Sequence, residues 1–94
     1  MVHNPGMDTK PHTPASLRAV LALSASGLAA RATAIARETD PAAYVSPQTV
    51  LRMERGLGVH LDHLRSIARA LDVSIDALLA AIDTERARRA KGAA

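Results

Sequence analysis

Val45-Ser46-Pro47-Gln48-Thr49-Val50-Leu51-Arg52-Met53-Glu54-Arg55-Gly56 is the stretch whose reading decides the fold. Ser46 is a helix-capping residue type, and Pro47 fits the first helical position, where a backbone N–H has no partner in the helix anyway. Gly56 supplies the stop. Between these signals Val50 and Met53 share an apolar face, while Gln48, Thr49, Arg52 and Arg55 fall on the other side. Gln48 and Arg52 are one helical turn apart, so their side chains stand one above the other. Gln matches N6 and N7 of adenine, and Arg matches O6 and N7 of guanine, each through two hydrogen bonds. A capped helix start also offers backbone N–H groups to a phosphate, which brings in Ser46. The plain alternative for such a face is a solvated polar surface. Residues outside this helix weigh the two.

Downstream, Leu61, Leu64, Ile67, Ala68 and Leu71 form one apolar face and predict a helix over 60–71. Ser74 caps a further helix carrying Ile75, Leu78, Leu79 and Ile82. Arg86, Arg88, Arg89 and Lys91 follow, a charge run that suits a helix C-terminus as well as it suits DNA. Upstream, Leu17, Val20, Leu21 and Leu23 predict a first helix, with Thr13 or Ser16 near its start. Ser24 or Ser26 caps a second helix through Leu28, Ala32 and Ile35, and Asp40-Pro41 marks its end. Asp40 as cap and Pro41 in the first position also predict one extra helical turn towards Tyr44. Residues 1–14 hold Pro5, Gly6, Pro11 and Pro14 among polar residues and read as a disordered arm, with Lys10 its one cation. No run of period two and no internal repeat is visible. The expectation is an all-α chain of five short helices around one core. Residues 1–14 form its arm, 15–83 its folded domain and 84–94 a basic tail.

Composition narrows the function classes. The 94 residues suit one domain, and with no Cys there is neither a disulfide framework nor a thiolate metal site. Tyr44 is the only aromatic among Phe, Trp and Tyr, which argues against binding single strands on aromatic platforms. The net charge is +3, and ten of the twelve Lys and Arg residues are Arg, the side chain whose planar fork suits phosphate and guanine. The apolar run over 19–30 has the look of a leader peptide, but Ser24, Ser26 and Gly27 interrupt it. It is too short to span a bilayer, and its loss would remove a helix the core needs. His60 and His63 are three apart without a third ligand nearby, so capping and packing are expected and no metal or cofactor. No Gly-rich phosphate loop or Cys nucleophile is present, and Asp62 and His63 are mere helix neighbours, so no enzyme is expected.

Three segments in order carry a resemblance. Leu23-Ser24-Ala25-Ser26-Gly27-Leu28-Ala29 resembles the L-S-x-x-x-L-A start of the second helix in the Cro/repressor-type helix-turn-helix family, also called lambda-repressor-like or XRE. The stretch from Val45 to Gly56 looks like that family's recognition helix and its closing E-x-G. The stretch from Leu64 to Leu79 is similar to its fourth and fifth helices. Together they cover roughly residues 16–80.

The resemblance implies roles. The third helix would enter the major groove, with Gln48 and Arg52 as main base readers and Pro47 and Thr49 beside them. Ser24 and Ser26 at the second helix's start, and Arg55, would hold phosphates. Arg18 and Glu54 sit where the family often places an ion pair joining helices 1 and 3. The loop after helix 3 (Leu57, Val59) and the start of the last helix (Ile75, Ala77, Leu78) would form a homodimer interface. Two recognition helices would then lie about 34 Å apart on a near-palindromic site. The chain departs from the family in two places. About eleven extra residues lie between the second and third helices, where the family has a tight turn. Either the second helix is longer or the turn carries an insertion over residues 35–44, with Arg37 in reach of the DNA backbone and Tyr44 packing. The loop Leu57-Gly58-Val59-His60 is apolar where the family's is polar and often basic.

The leading expectation is a cytoplasmic, nucleoid-associated regulator binding double-stranded DNA sequence-specifically, a repressor. The alternative is an antitoxin-type protein that binds a toxin partner and represses its own operon, with the insertion and the loop at Leu57 and Val59 as partner surface. A helix-turn-helix fold that has lost DNA binding is the third.

Overall fold

The computed structural model describes residues 11–93. Among them the chain is all helical: α1 Pro14–Val20, α2 Ala25–Ala36, α3 Pro47–Glu54, α4 Leu61–Ala70 and α5 Ile75–Ala93. Every helix start uses a side-chain cap. Thr13 Oγ1 accepts from Ser16 N–H at 3.2 Å while Ser16 Oγ accepts from Thr13 N–H at 2.9 Å, a reciprocal box. Ser24 Oγ accepts from Gly27 N–H at 2.9 Å, Ser46 Oγ from Thr49 N–H at 3.1 Å and Ser74 Oγ from Ala77 N–H at 3.0 Å. At α4 the cap is His60, whose Nδ1 accepts from Asp62 N–H at 3.2 Å.

Three helices stop by one device. The chain turns left-handed at Ala22 (φ 55°), Gly56 (φ 76°) and Asp72 (φ 61°), one residue beyond the caps of α1, α3 and α4. The next N–H then reaches back five residues: Leu23 to Arg18 O at 3.4 Å, Leu57 to Arg52 O at 3.0 Å and Val73 to Ala68 O at 3.0 Å. These tight stops aim consecutive helices in new directions, and α1 meets α2 at a bend of 88°. No single helix among the described residues is long and apolar enough to cross a membrane.

α2 packs mainly on α4 and α3, and α5 closes against α4, α1 and α3. Leu28, Val50, Met53, Ile67 and Leu78 are completely buried at the centre. Dispersion and hydrophobic contact come from aliphatic side chains and one thioether, as the near absence of aromatics requires.

The expected boundaries shift at both ends. Pro14 is helical and buried, so the folded part reaches back past residue 15. Residues 1–10, with Lys10, lie outside the described residues. At the other end 84–93 is no separate tail, because α5 runs through it. Glu85, 3 % exposed, explains why. It accepts from Arg88 Nη2 at 2.7 Å and Arg89 Nε at 2.5 Å, and Arg86 Nε donates to Gly56 O at 2.8 Å. These cations brace the helix and moor it to the end of α3.

Residues 35–44, the expected insertion, divide in two. The first two complete α2, which ends at Ala36, and the rest form a loop. The extra helical turn expected at Asp40 does not form. Asp40 Oδ1 accepts from Ala42 N–H at 3.0 Å and its carbonyl from Ala43 N–H at 2.9 Å, which makes a Pro41-containing turn instead of a helix. Arg37 Nε spans this loop to Ala43 O at 2.8 Å. At its base, buried Thr33 closes it: Oγ1 accepts from Val45 N–H at 2.9 Å and donates to Val45 O at 3.1 Å.

Candidate nucleic-acid interface

α3 is mounted from one side. Val50 and Met53 are 0 % exposed, and Glu54, next to them, is 8 % exposed. Glu54 is bound by a guanidinium from α1: Arg18 Nε donates to Oε2 at 2.5 Å and Nη2 to Oε1 at 2.9 Å. Arg18 Nη1 also donates to Leu23 O at 3.0 Å, so one side chain ties α3 to α1 and to the turn before α2. The Glu54 hydrogen bonds hold the Arg18 guanidinium above its ordinary value, against the lowering effect of burial.

The opposite side of α3 faces out. Gln48, Leu51, Arg52 and Arg55 are exposed, and Pro47 and Thr49 are half-buried. Arg52 Nη2 donates to Gly58 O at 3.2 Å, which leaves most of its N–H donors free. Neither Gln48 nor Arg55 has a side-chain partner among the described residues. Thr49 Oγ1 lies 3.0 Å from Ser46 Oγ, and Ser46 Oγ also caps Thr49 N–H. The hydroxyls of Ser46 and Thr49 are therefore committed to the cap, and the helix start offers an outside ligand the N–H of Gln48.

The start of α2 carries the other expected anion contacts. Ser24 and Ser26 are exposed. Ser24 spends its hydroxyl on Gly27 N–H, so the N–H groups of Ala25 and Ser26 stay outside the helical ladder. Arg37 is exposed, but its Nε is used within the insertion.

Two grooves flank the insertion. One, of about 370 Å³, runs between α2 and the start of α3 and is lined by Ser26, Ala30, Arg37, Tyr44 and Pro47 among others. The other, of about 620 Å³, lies between the insertion and α4, with Tyr44, His63, Arg65 and Arg69 on its walls. Tyr44 was expected to pack. It is 61 % exposed and forms part of both walls, because the turn at Asp40 brings the chain back over the surface and Val45 takes the buried place.

Not all of the expected dimer residues reach the surface. Leu78 is 0 % exposed and belongs to the core, so it is no interface residue as the fold stands. The helical phase of α5 explains this, since Leu78 faces inward with Ile82 and leaves Leu79 outside. Val59 and Ile75 are partly buried against the core, whereas Leu57 and Ala77 are exposed. Leu57, Leu61 and Leu79 are the exposed leucines in this part of the chain.

Leu51 was missed by the sequence reading. Its position three residues after Gln48 already placed it with the outward residues, but reading the helix for polar groups passed over it. No protein-family model, curated protein or solved structure matches the chain.

Proposed function

We propose that the protein is a sequence-specific double-stranded DNA-binding regulator of the Cro/repressor helix-turn-helix type, acting in the cytoplasm as a repressor. One observation carries the reading. α3 has its inner face clamped by Val50, Met53 and the Arg18–Glu54 pair, while Gln48, Arg52 and Arg55 stand exposed on its outer face. A rigidly held short helix with an outward row of planar hydrogen-bonding side chains suits the major groove, which admits one helix and presents paired acceptors and donors. Gln48 and Arg52 read bases, with Pro47 and Thr49 beside them. Arg55 and the free N–H groups at the start of α2 hold phosphates on either side. The protein binds as a homodimer on a near-palindromic site.

Selection from a randomised duplex pool, followed by salt titration of the winning site, tests this. The expected winner is a palindrome bound with a steep salt dependence. Gln48→Ala and Arg52→Ala each cost about 1–3 kcal/mol on the winner and relax the choice of base at one position. Arg55→Ala weakens all duplexes alike and lowers the salt slope by about one. A pool that yields no enriched duplex refutes the proposal.

A second reading, an antitoxin-type protein that binds a partner protein, draws on exposed Leu57 (42 %) and Leu61 (46 %) in and after the apolar loop. Co-purification of a small partner that covers these residues distinguishes it from a regulator acting alone.

A further inference from the structure

Within the outward face of α3 sits one aliphatic side chain, Leu51, 45 % exposed. At about 100° per residue, Gln48 and Arg55 lie nearly in line along the helix. Arg52 falls about 40° to one side of Gln48 and Leu51 about 60° to the other. Leu51 thus shares a surface with one amide and two guanidinium groups and, like Gln48 and Arg52, is exposed.

Those neighbours decide what can cover it. An apolar protein surface laid over Leu51 would also strip water from Arg52 and Arg55 without supplying acceptors, a costly exchange. The floor of the major groove offers both chemistries within a few ångströms: guanine O6 and N7 and phosphate oxygens for the Arg residues, and the C5-methyl of thymine for an aliphatic group. Resting on the DNA-binding reading above, we infer that Leu51 is a specificity-determining residue. It packs against a thymine methyl and selects an A·T pair in a defined strand orientation next to the pair read by Arg52 or Gln48. It adds shape recognition of a methyl group to hydrogen-bond recognition by its neighbours.

The test uses the full chain and the selected duplex. Each dT is replaced in turn by dU, which deletes the methyl and leaves all hydrogen-bonding groups in place. Wild-type protein is expected to lose about fourfold in affinity at one position per half-site, the worth of one buried methyl. Leu51→Ala is expected to bind the dT duplex more weakly by a similar factor and to ignore dU at that position alone. Gln48→Ala keeps the dU effect. The dU scan on wild-type protein needs no variant, so it stands whatever Leu51→Ala does to folding. A scan with no sensitive position, or one in which Leu51→Ala retains every dU effect, overturns the inference while leaving DNA binding intact. Failure to bind any duplex removes the functional reading and this inference together.

Discussion

Replacing Arg18 by methionine strips Glu54 of its partner while keeping most of the aliphatic volume. The Glu54 side chain is 9 % exposed and has no other hydrogen-bond donor among the described residues, so its carboxylate is left buried and unpaired. Leu23 O also loses the donor it receives from Nη1. The expected cost is about 3–5 kcal/mol, the range for breaking a buried pair from one side. The reverse change, Glu54→Met, should cost less, about 2–3 kcal/mol. Arg18 is 22 % exposed, can take up water and still donates to Leu23 O. The double variant leaves no charge buried and should lie within about 2 kcal/mol of wild type, because a well-packed apolar pair can replace a buried ionic one.

Urea denaturation followed by far-ultraviolet circular dichroism measures all four corners of this cycle. For a domain of this size each kcal/mol moves the thermal midpoint by about 4–8 °C, so Arg18→Met should melt about 12–40 °C lower. High salt should leave the coupling largely intact, since a buried pair is poorly screened. The Arg69–Glu38 pair is the internal control. Its side chains are 63 % and 59 % exposed, and removing it should change stability by less than about 1 kcal/mol. The reasoning is refuted if Arg18→Met costs less than about 1 kcal/mol, or if the double variant equals the sum of the singles.

Gly56→Ala should destabilise by about 2 kcal/mol or more in the same assay. The left-handed conformation at φ 76° penalises a side chain, and the added Cβ would come within 2.9 Å of Arg86 Cγ. Thr33→Val should cost about 2–4 kcal/mol, because it keeps the shape but leaves the buried N–H and C=O of Val45 unpartnered. On the proposed DNA-binding reading it should also weaken duplex binding by loosening the chain just before α3. Glu85 carries a pH dependence. Its hydrogen bond with Arg88 first, and that with Arg89, hold the carboxyl below the ordinary 4.5 against the opposing effect of burial. A depressed value in the fold means stability that is present above pH 4.5 and lost as pH falls through the folded-state value. Glu85→Gln should flatten that acid limb, and an unchanged limb in the variant would count against the assignment.

How much the sequence revealed follows from how local each signal is. Ser46, Pro47 and Gly56 mark α3 because capping and a left-handed stop are decided within a few residues, and the structure has α3 at Pro47–Glu54. The outward row of Gln48, Arg52 and Arg55 is equally local, being a matter of helical phase. The last helix was harder. Its basic stretch has the composition of a solvated tail, and only the fold shows that Glu85 gathers Arg88 and Arg89 while Arg86 reaches Gly56 O, thirty residues away in sequence. Leu78 illustrates the opposite limit. Ile75, Leu78, Leu79 and Ile82 read as one apolar face, and which edge of that face stays outside is set by where α1, α3 and α4 lie.

The insertion shows why a local reading could leave the α2–α3 relation open and the structure still hold α3 firmly. Extra residues between two packed helices threaten their geometry when the two ends of the insert are free to separate. Here they are joined. Thr33, on α2, bonds both backbone groups of Val45, the residue that precedes the α3 cap, and the pair is buried. The chain therefore leaves the core at Thr33 and re-enters beside it at Val45, so the excursion between them bears little on how α3 is mounted. Its own bonds, Arg37 to Ala43 O and Asp40 to Ala42 N–H, are satisfied within the loop. A device of this kind separates two tasks. The mounting of α3 depends on Thr33, Val45 and the Arg18–Glu54 pair, whereas residues 37–44 are free to vary the surface next to it, where Tyr44 now stands exposed between two grooves.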